Sequence, residues 1–282
     1  YPSTPEEAFI ASGRPRFNVS KLKKYLRHTE DGIRGNLYYD GQGRVHFEKN
    51  KDGYITIWNA PKPDRYYCIG GDVAEGLIDG DYSVGIVGSQ EDLKVDAMFH
   101  GHIDPDLFGA ELVKLAKFYN DAYIGVEANN HGLTTLKAIQ KLDYYNIYFS
   151  KVYDQITDKI TQKIGWQTNA KTKPLMIDKL AEFIREEYIG IKSKLIIREL
   201  LTYVIDDKGS TNAQEGCHDD TVMALAIWLQ VILEGRGDSY TPEISDEIVK
   251  SRANFDIDRP SLYRERDEDE EEDEDPFIEY SI

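Results

Sequence analysis

Three short segments of this 282-residue sequence attach acidic residues to the ends of apolar elements. Gly70-Gly71-Asp72-Val-Ala-Glu-Gly76 closes one apolar run, Ile124-Gly-Val-Glu127-Ala-Asn-Asn-His-Gly132 closes a second, and Gly216-Cys-His-Asp219-Asp220-Thr opens an apolar helix. Taken singly, each has an ordinary reading: an acid in a Gly-rich turn is a turn residue, and an acid at a helix start is an N-cap. Taken together they can do chemistry. If the strands ending at Asp72 and Glu127 are adjacent and parallel, their carboxyl ends lie about 4.8 Å apart and the two side chains converge. A helix packed there with Asp219 and Asp220 in its first turn adds further oxygens. Crowded carboxylates repel one another unless a cation neutralises them, and an all-oxygen donor set selects Mg²⁺ or Mn²⁺. Two such ions about 3.5–4 Å apart activate water and stabilise the leaving oxygen of a phosphodiester. Phosphodiester cleavage is the chemistry these residues point to.

The elements that must position them can be read from the same sequence. Tyr66–Val73 is a strand apolar on both faces, hence central, and Tyr82–Gly88 and Val95–His102 follow as an antiparallel meander. Asp104-Pro105 begins an amphipathic helix that runs to about Asn120. A short strand Tyr123–Glu127, a helix Gly132–Leu142, a strand Asn146–Val152 and a helix Pro174–Glu187 come next. The last helix, from near Asp219 to about Glu234, is apolar nearly all round and should be buried. A meander followed by parallel strands with crossover helices predicts an α/β fold with a mixed sheet. Ahead of this core, Thr4, Pro5 and Glu7 predict a capped helix stopped by Gly13, and a basic helix covers Ser20–Arg27. Asp52-Gly53, between Val45–Phe47 and Tyr54–Trp58, predicts a hairpin. Pro61 and Pro63 mark a boundary, dividing the chain into residues 1–60, a core domain 61–237 and a tail 238–282.

A net charge of −17 at first argues against a nucleic-acid partner. Residues 238–282 hold 17 acidic and 5 basic side chains, so −12 belongs to the tail and only −5 to the rest. Ten of the eleven residues from Glu265 to Asp275 are acidic, which predicts disorder and a segment able to mimic DNA or dock on a basic surface. Cys68 and Cys217 are too few for a disulfide framework or a structural zinc site. No run reaches the ~20 apolar residues that span a bilayer, so no membrane association is expected. His131 and His218 flank the acids and can polarise water or contact a phosphate, or serve as structural histidines. Lys159, Lys163, Lys171 and Lys173 surround Trp166, a basic stretch with an aromatic that suits a DNA backbone groove, or an ordinary solvated loop with a core Trp.

The three acidic segments, with Gly165-Trp166-Gln-Thr-Asn169-Ala-Lys-Thr-Lys-Pro174, resemble the nuclease domain of the large terminase subunits of tailed bacteriophages. The opening Tyr-Pro-Ser-Thr-Pro-Glu-Glu-Ala-Phe resembles the end of that family's ATPase region. Glu199-Leu-Leu-Thr-Tyr203, followed by His218-Asp-Asp-Thr-Val-Met-Ala-Leu-Ala226, extends the likeness. The resemblance implies an RNase H-like fold and a two-metal (Mg²⁺ or Mn²⁺) endonuclease in the host cytoplasm. It would cut concatemeric double-stranded viral DNA as packaging starts and ends, with the portal protein and the small terminase subunit as partners. By position, Asp72 would bridge both ions, Glu127 would bind one, and one or both of Asp219 and Asp220 would complete the site. Asp81 would support them, or be only a hairpin turn residue. No Gly-x-x-x-x-Gly-Lys-Ser/Thr phosphate loop occurs, so ATP hydrolysis is not expected. With Tyr at position 1, the chain reads as the nuclease part of a longer motor, residues 1–60 carrying a remnant of the ATPase region. Two alternatives stay open: a junction resolvase or transposase on the same fold, and a non-catalytic module that docks on portal or capsid proteins.

Overall fold

Strands β5 (Tyr67–Asp72), β6 (Ser83–Ser89) and β7 (Val95–Gly101) are apolar on both faces, and a computed structural model places them at the centre of a sheet covered by helices. It describes residues 14–154, 159–206 and 209–235. Before the meander come β1 (Arg14–Pro15), α1 (Val19–Arg27), β2 (Ile33–Tyr39), β3 (Val45–Lys49) and β4 (Ile55–Ile57). After it come α2 (Pro105–Phe118), β8 (Tyr123–Val126), α3 (Asn130–Lys141), β9 (Phe149–Asp154) and β10 (Lys159–Ile164). The chain continues through α4 (Thr172–Arg185), α5 (Lys194–Thr202), β11 (Tyr203–Ile205), β12 (Thr211–Ala213) and α6 (Asp220–Glu234). The main sheet has the order β3-β2-β4-β7-β6-β5-β8, antiparallel throughout except for the parallel pair β5–β8. This is the mixed α/β sheet expected, with α2 and α3 on one face and α4, α5 and α6 on the other. No described helix is long and apolar enough to cross a membrane.

The seat of α6 is made by missing side chains. Gly70 of β5 and Gly125 of β8 are direct register partners, and both face α6. A Cβ on Gly70 would come within 2.5 Å of the Ala224 carbonyl oxygen, and one on Gly125 would strike Val231. The helix backbone therefore lies directly on the strand backbone, and Trp228 fills the adjoining hollow over Gly88 of β6. Strand alternation then sends Asp72 and Glu127 to the same face as Gly70 and Gly125. One helical turn back from Ala224 is about 6 Å and two strand residues on from Gly70 is about 6.6 Å, so Asp220 sits over Asp72.

The Asp52-Gly53 hairpin is not formed: β3 and β4 do not pair with each other but flank β2 on opposite sides. Gly35 pairs with Lys49 on one side and Ile55 on the other, and the chain crosses β2 at that point. Gly53 rests directly on the Gly35 backbone, where any side chain would block the crossing. The turn glycine serves a crossover instead of a two-strand hairpin. Through β4 and β7, residues 33–57 join the same sheet as the core strands on the far side of Pro61 and Pro63. The strand expected at Asn146–Val152 begins with a short parallel pairing of Asn146–Tyr148 against Ile124 of β8, and from Phe149 it turns into an antiparallel ribbon with β10. Helix α5 and strand β10 had not been anticipated. The helix expected after Thr4 and the acidic tail lie outside the described residues.

Gly70→Ala should destabilise the protein by about 3 kcal/mol or more, at the upper end for overpacking, because backbone on both sides leaves no room to relax. Urea denaturation monitored by Trp fluorescence would show this, and a loss below about 1 kcal/mol would mean that α6 is free to ride outward.

Candidate metal-binding active site

Asp72 is the last residue of β5, and Glu127 follows β8 with its N–H donating to the Gly71 carbonyl at 2.9 Å. The segment Gly165–Trp166 seals the outer edge of β8: Trp166 N–H donates to Val126 and Ala128 N–H to Trp166. Asn129 holds the following turn twice over. Its amide nitrogen donates to Glu127 Oε2 at 3.0 Å, and its oxygen accepts from Gly132 N–H at 2.7 Å to cap α3. Asp219 and Asp220 open α6, and the Tyr82 backbone N–H donates to Asp220 Oδ2 at 3.0 Å.

Asp72 feels the charges of Glu127, Asp220 and Asp219, so the four acids stand near one another, whereas among the described residues the ligand atoms that lie within 4.8 Å of one another are those of Asp81, His218 and Asp220. Burial holds the Asp72 carboxyl well above the ordinary range, and Glu127, then Asp220 and Asp219, push it further. Burial likewise raises Asp220 to about 6; Asp81 and Asp219 add to the rise, against the Tyr82 N–H and His218. Among the described residues, no lysine or arginine pairs with Asp72, Glu127 or Asp219. The cluster is an uncompensated concentration of oxygen donors, which fits a hard divalent cation.

A second group adjoins it. His218 Nδ1 lies 3.3 Å from Asp81 Oδ1 and 3.6 Å from Asp220 Oδ2, and one ligand atom from each of the three lies within 4.8 Å of the others. Asp81 and His218 thus stand together beside the four acids. His131 does not join them: its Nε2 faces Glu75 Oε1 at 3.3 Å.

The expected DNA-contacting set divides. Trp166 is only 7% exposed and packs 6.1 Å from the Tyr148 ring, so it cannot offer a face to a base. It is a core residue that anchors the strand edge beside Glu127. Lys163 and Lys171 are exposed, Lys173 donates to Asn212 Oδ1 at 3.1 Å, and Lys159 lies on the backbone of β10.

Three groups were not anticipated. The Tyr82 ring lies 4.2 Å from His100 and 4.0 Å from His102, with His218 edge-on at 5.4 Å. Burial, then His102, Arg34 and His218, lower His100 to about 4, so that imidazole is neutral. His100 and His102 alternate on β7, and that spacing alone puts them on one face. Glu199 of α5, only 6% exposed, accepts at Oε2 from Thr221 N–H at 2.9 Å and from the Thr221 hydroxyl at 2.6 Å. Burial raises it to about 7.

No family model matches the sequence. The fold is shared with the large terminase nuclease from thermophilic phage G20c, with a TM-score of 0.51 and 18% identity over 75% of this chain and 98% of that one. The same nuclease with bound magnesium and with bound cobalt each aligns at a TM-score of 0.53 and 19% identity, over 78% of this chain and 98% of the other.

In the metal-free protein, stability should fall as pH rises from about 4 towards 7. Folded Asp72, Asp96, Asp220 and Glu199 hold protons that the unfolded chain releases near 4. His100 opposes this over much of the window, as one group against four. Calorimetry with a chelator present should give a lower melting temperature at about pH 7 than at about pH 5, and Asp72→Asn should flatten the difference.

Proposed function

We propose that this chain is a metal-dependent DNA endonuclease of a viral packaging motor, cutting concatemeric double-stranded DNA as packaging starts and ends. The observation that carries this reading is the convergence of Asp72, Glu127, Asp219 and Asp220 at one end of a sheet whose fold is that of a terminase nuclease. Asp72, Glu127 and one or both of Asp219 and Asp220 would hold two Mg²⁺ or Mn²⁺ ions. When bound, such ions activate water and neutralise charge building on the phosphodiester.

The chain's own groups prepare the site. The Tyr82 N–H fixes one oxygen of Asp220 and leaves the other free. Asn129 orients the Glu127 carboxylate through a single bond, and pairing with Trp166 fixes the Glu127 backbone. His218, between Asp81 and Asp220, can hold a proton beside the scissile bond. Exposed Lys163 and Lys171 lie on the β10-to-α4 side, next to the Trp166–Glu127 bridge, and would contact the DNA backbone. The portal protein and the small terminase subunit are the partners this role requires, and no ATP hydrolysis is assigned to the chain.

Purified protein with Mn²⁺ should nick supercoiled plasmid, and a chelator should abolish nicking. Asp72→Ala and Glu127→Gln should each lower the rate about 100-fold or more. Linear duplex and four-way junctions should be cut comparably; strong preference for the junction would replace this reading with a resolvase. Unchanged nicking by Asp72→Ala would remove it altogether.

A further inference from the structure

An α-helix leaves its first N–H groups unpaired, and the N-cap side chain ordinarily satisfies one of them. Helices α1, α3 and α5 do this with their own Asn18, Asn129 and Ser193. Helix α6 does not. Its N-cap is Asp219, among the best capping residues, yet that side chain makes no cap hydrogen bond. The bond comes from another element: Glu199 on α5 reaches in and takes both the N–H and the hydroxyl of Thr221. A carboxylate at a helix N-terminus is favoured by the helix dipole, but a buried fifth acid beside four others is a poor choice for stability alone.

We propose that Glu199 is a positioning residue: by capping α6 from the neighbouring helix, it leaves the carboxylates of both Asp219 and Asp220 free to face Asp72 and Glu127. The assignment rests on the nuclease reading above. Without Glu199, Asp219 is the nearest acceptor for the exposed N–H groups and folds back onto its own helix. The helix start is then still capped, but the metal-facing set has lost an oxygen donor. Metal affinity and fold stability therefore separate, which a merely structural contact would not produce.

The test is Mn²⁺ binding by calorimetry on the full chain, with thermal melting alongside. Wild type is measured first; if it binds no Mn²⁺ and nicks no plasmid, the nuclease reading fails and this one with it. Glu199→Ala should weaken Mn²⁺ binding about tenfold or more, as loss of a supporting partner does. Its melting temperature should fall only modestly. Glu199→Gln keeps an acceptor for Thr221 and should recover most of the affinity. Thr221→Val removes only the hydroxyl bond, and should weaken binding less than Glu199→Ala while folding normally. Wild-type Mn²⁺ affinity in folded Glu199→Ala, or in Thr221→Val should the former not fold, would overturn the proposal and leave the nuclease reading intact.

Discussion

The close approach of α6 to β5 and β8 is the constraint from which the rest follows. A helix and a sheet normally stand about 10 Å apart because side chains fill the space between them, as between stacked sheets. At Gly70 there are none, and the Ala224–Trp228 turn lies on bare strand backbone, while at Gly125 the Val231 side chain settles directly onto the strand. This sets the height of the helix N-terminus above the strand ends. Two carboxylates from the strands and two from the helix can then meet across a gap that larger residues would have held open.

That approach has an electrostatic consequence. Bringing Asp72, Glu127, Asp219 and Asp220 together in a partly buried space raises the energy of the metal-free state, as the elevated Asp72 and Asp220 show. The surrounding apolar packing must hold an arrangement that its own charges oppose. α6 is buried along nearly its whole length, and its contacts with the sheet supply that restraint. The mutual repulsion of the acids and their concentration of oxygen donors have the same origin.

Much of this was legible because strand ends and helix starts are written locally. Asp72, Glu127, Asp219 and Asp220 each terminate or open an apolar run, and the parallel pairing of β5 with β8 brings the first two together. What could not be read depends on contacts between distant segments. Gly53 looks like a hairpin turn until Gly35 is found beneath it. Trp166 looks available to DNA because its neighbours are polar and basic, but it pairs with an edge 39 positions back in the chain. α5 is short and carries adjacent β-branched Ile196 and Ile197, so its helical period is weakly marked. Its partnership with Thr221 spans 22 positions and leaves no local trace at all.

The small sheet β1-β11-β12 ties the chain near Arg14 to the strand that leaves α5, with Arg14 opposite Ile205 and Pro15 opposite Val204. β11 continues directly from α5, and Glu199 sits four residues before it. The contact with Thr221 then leads into the first turn of α6. In mechanical terms this is a short lever. A pull on the chain at Arg14 loads β11, then the last turn of α5, then the carboxylates of α6, without passing through the main sheet. The first turn of α6 is thereby tied to the chain at Arg14 by a second route, beside its direct seat on β5.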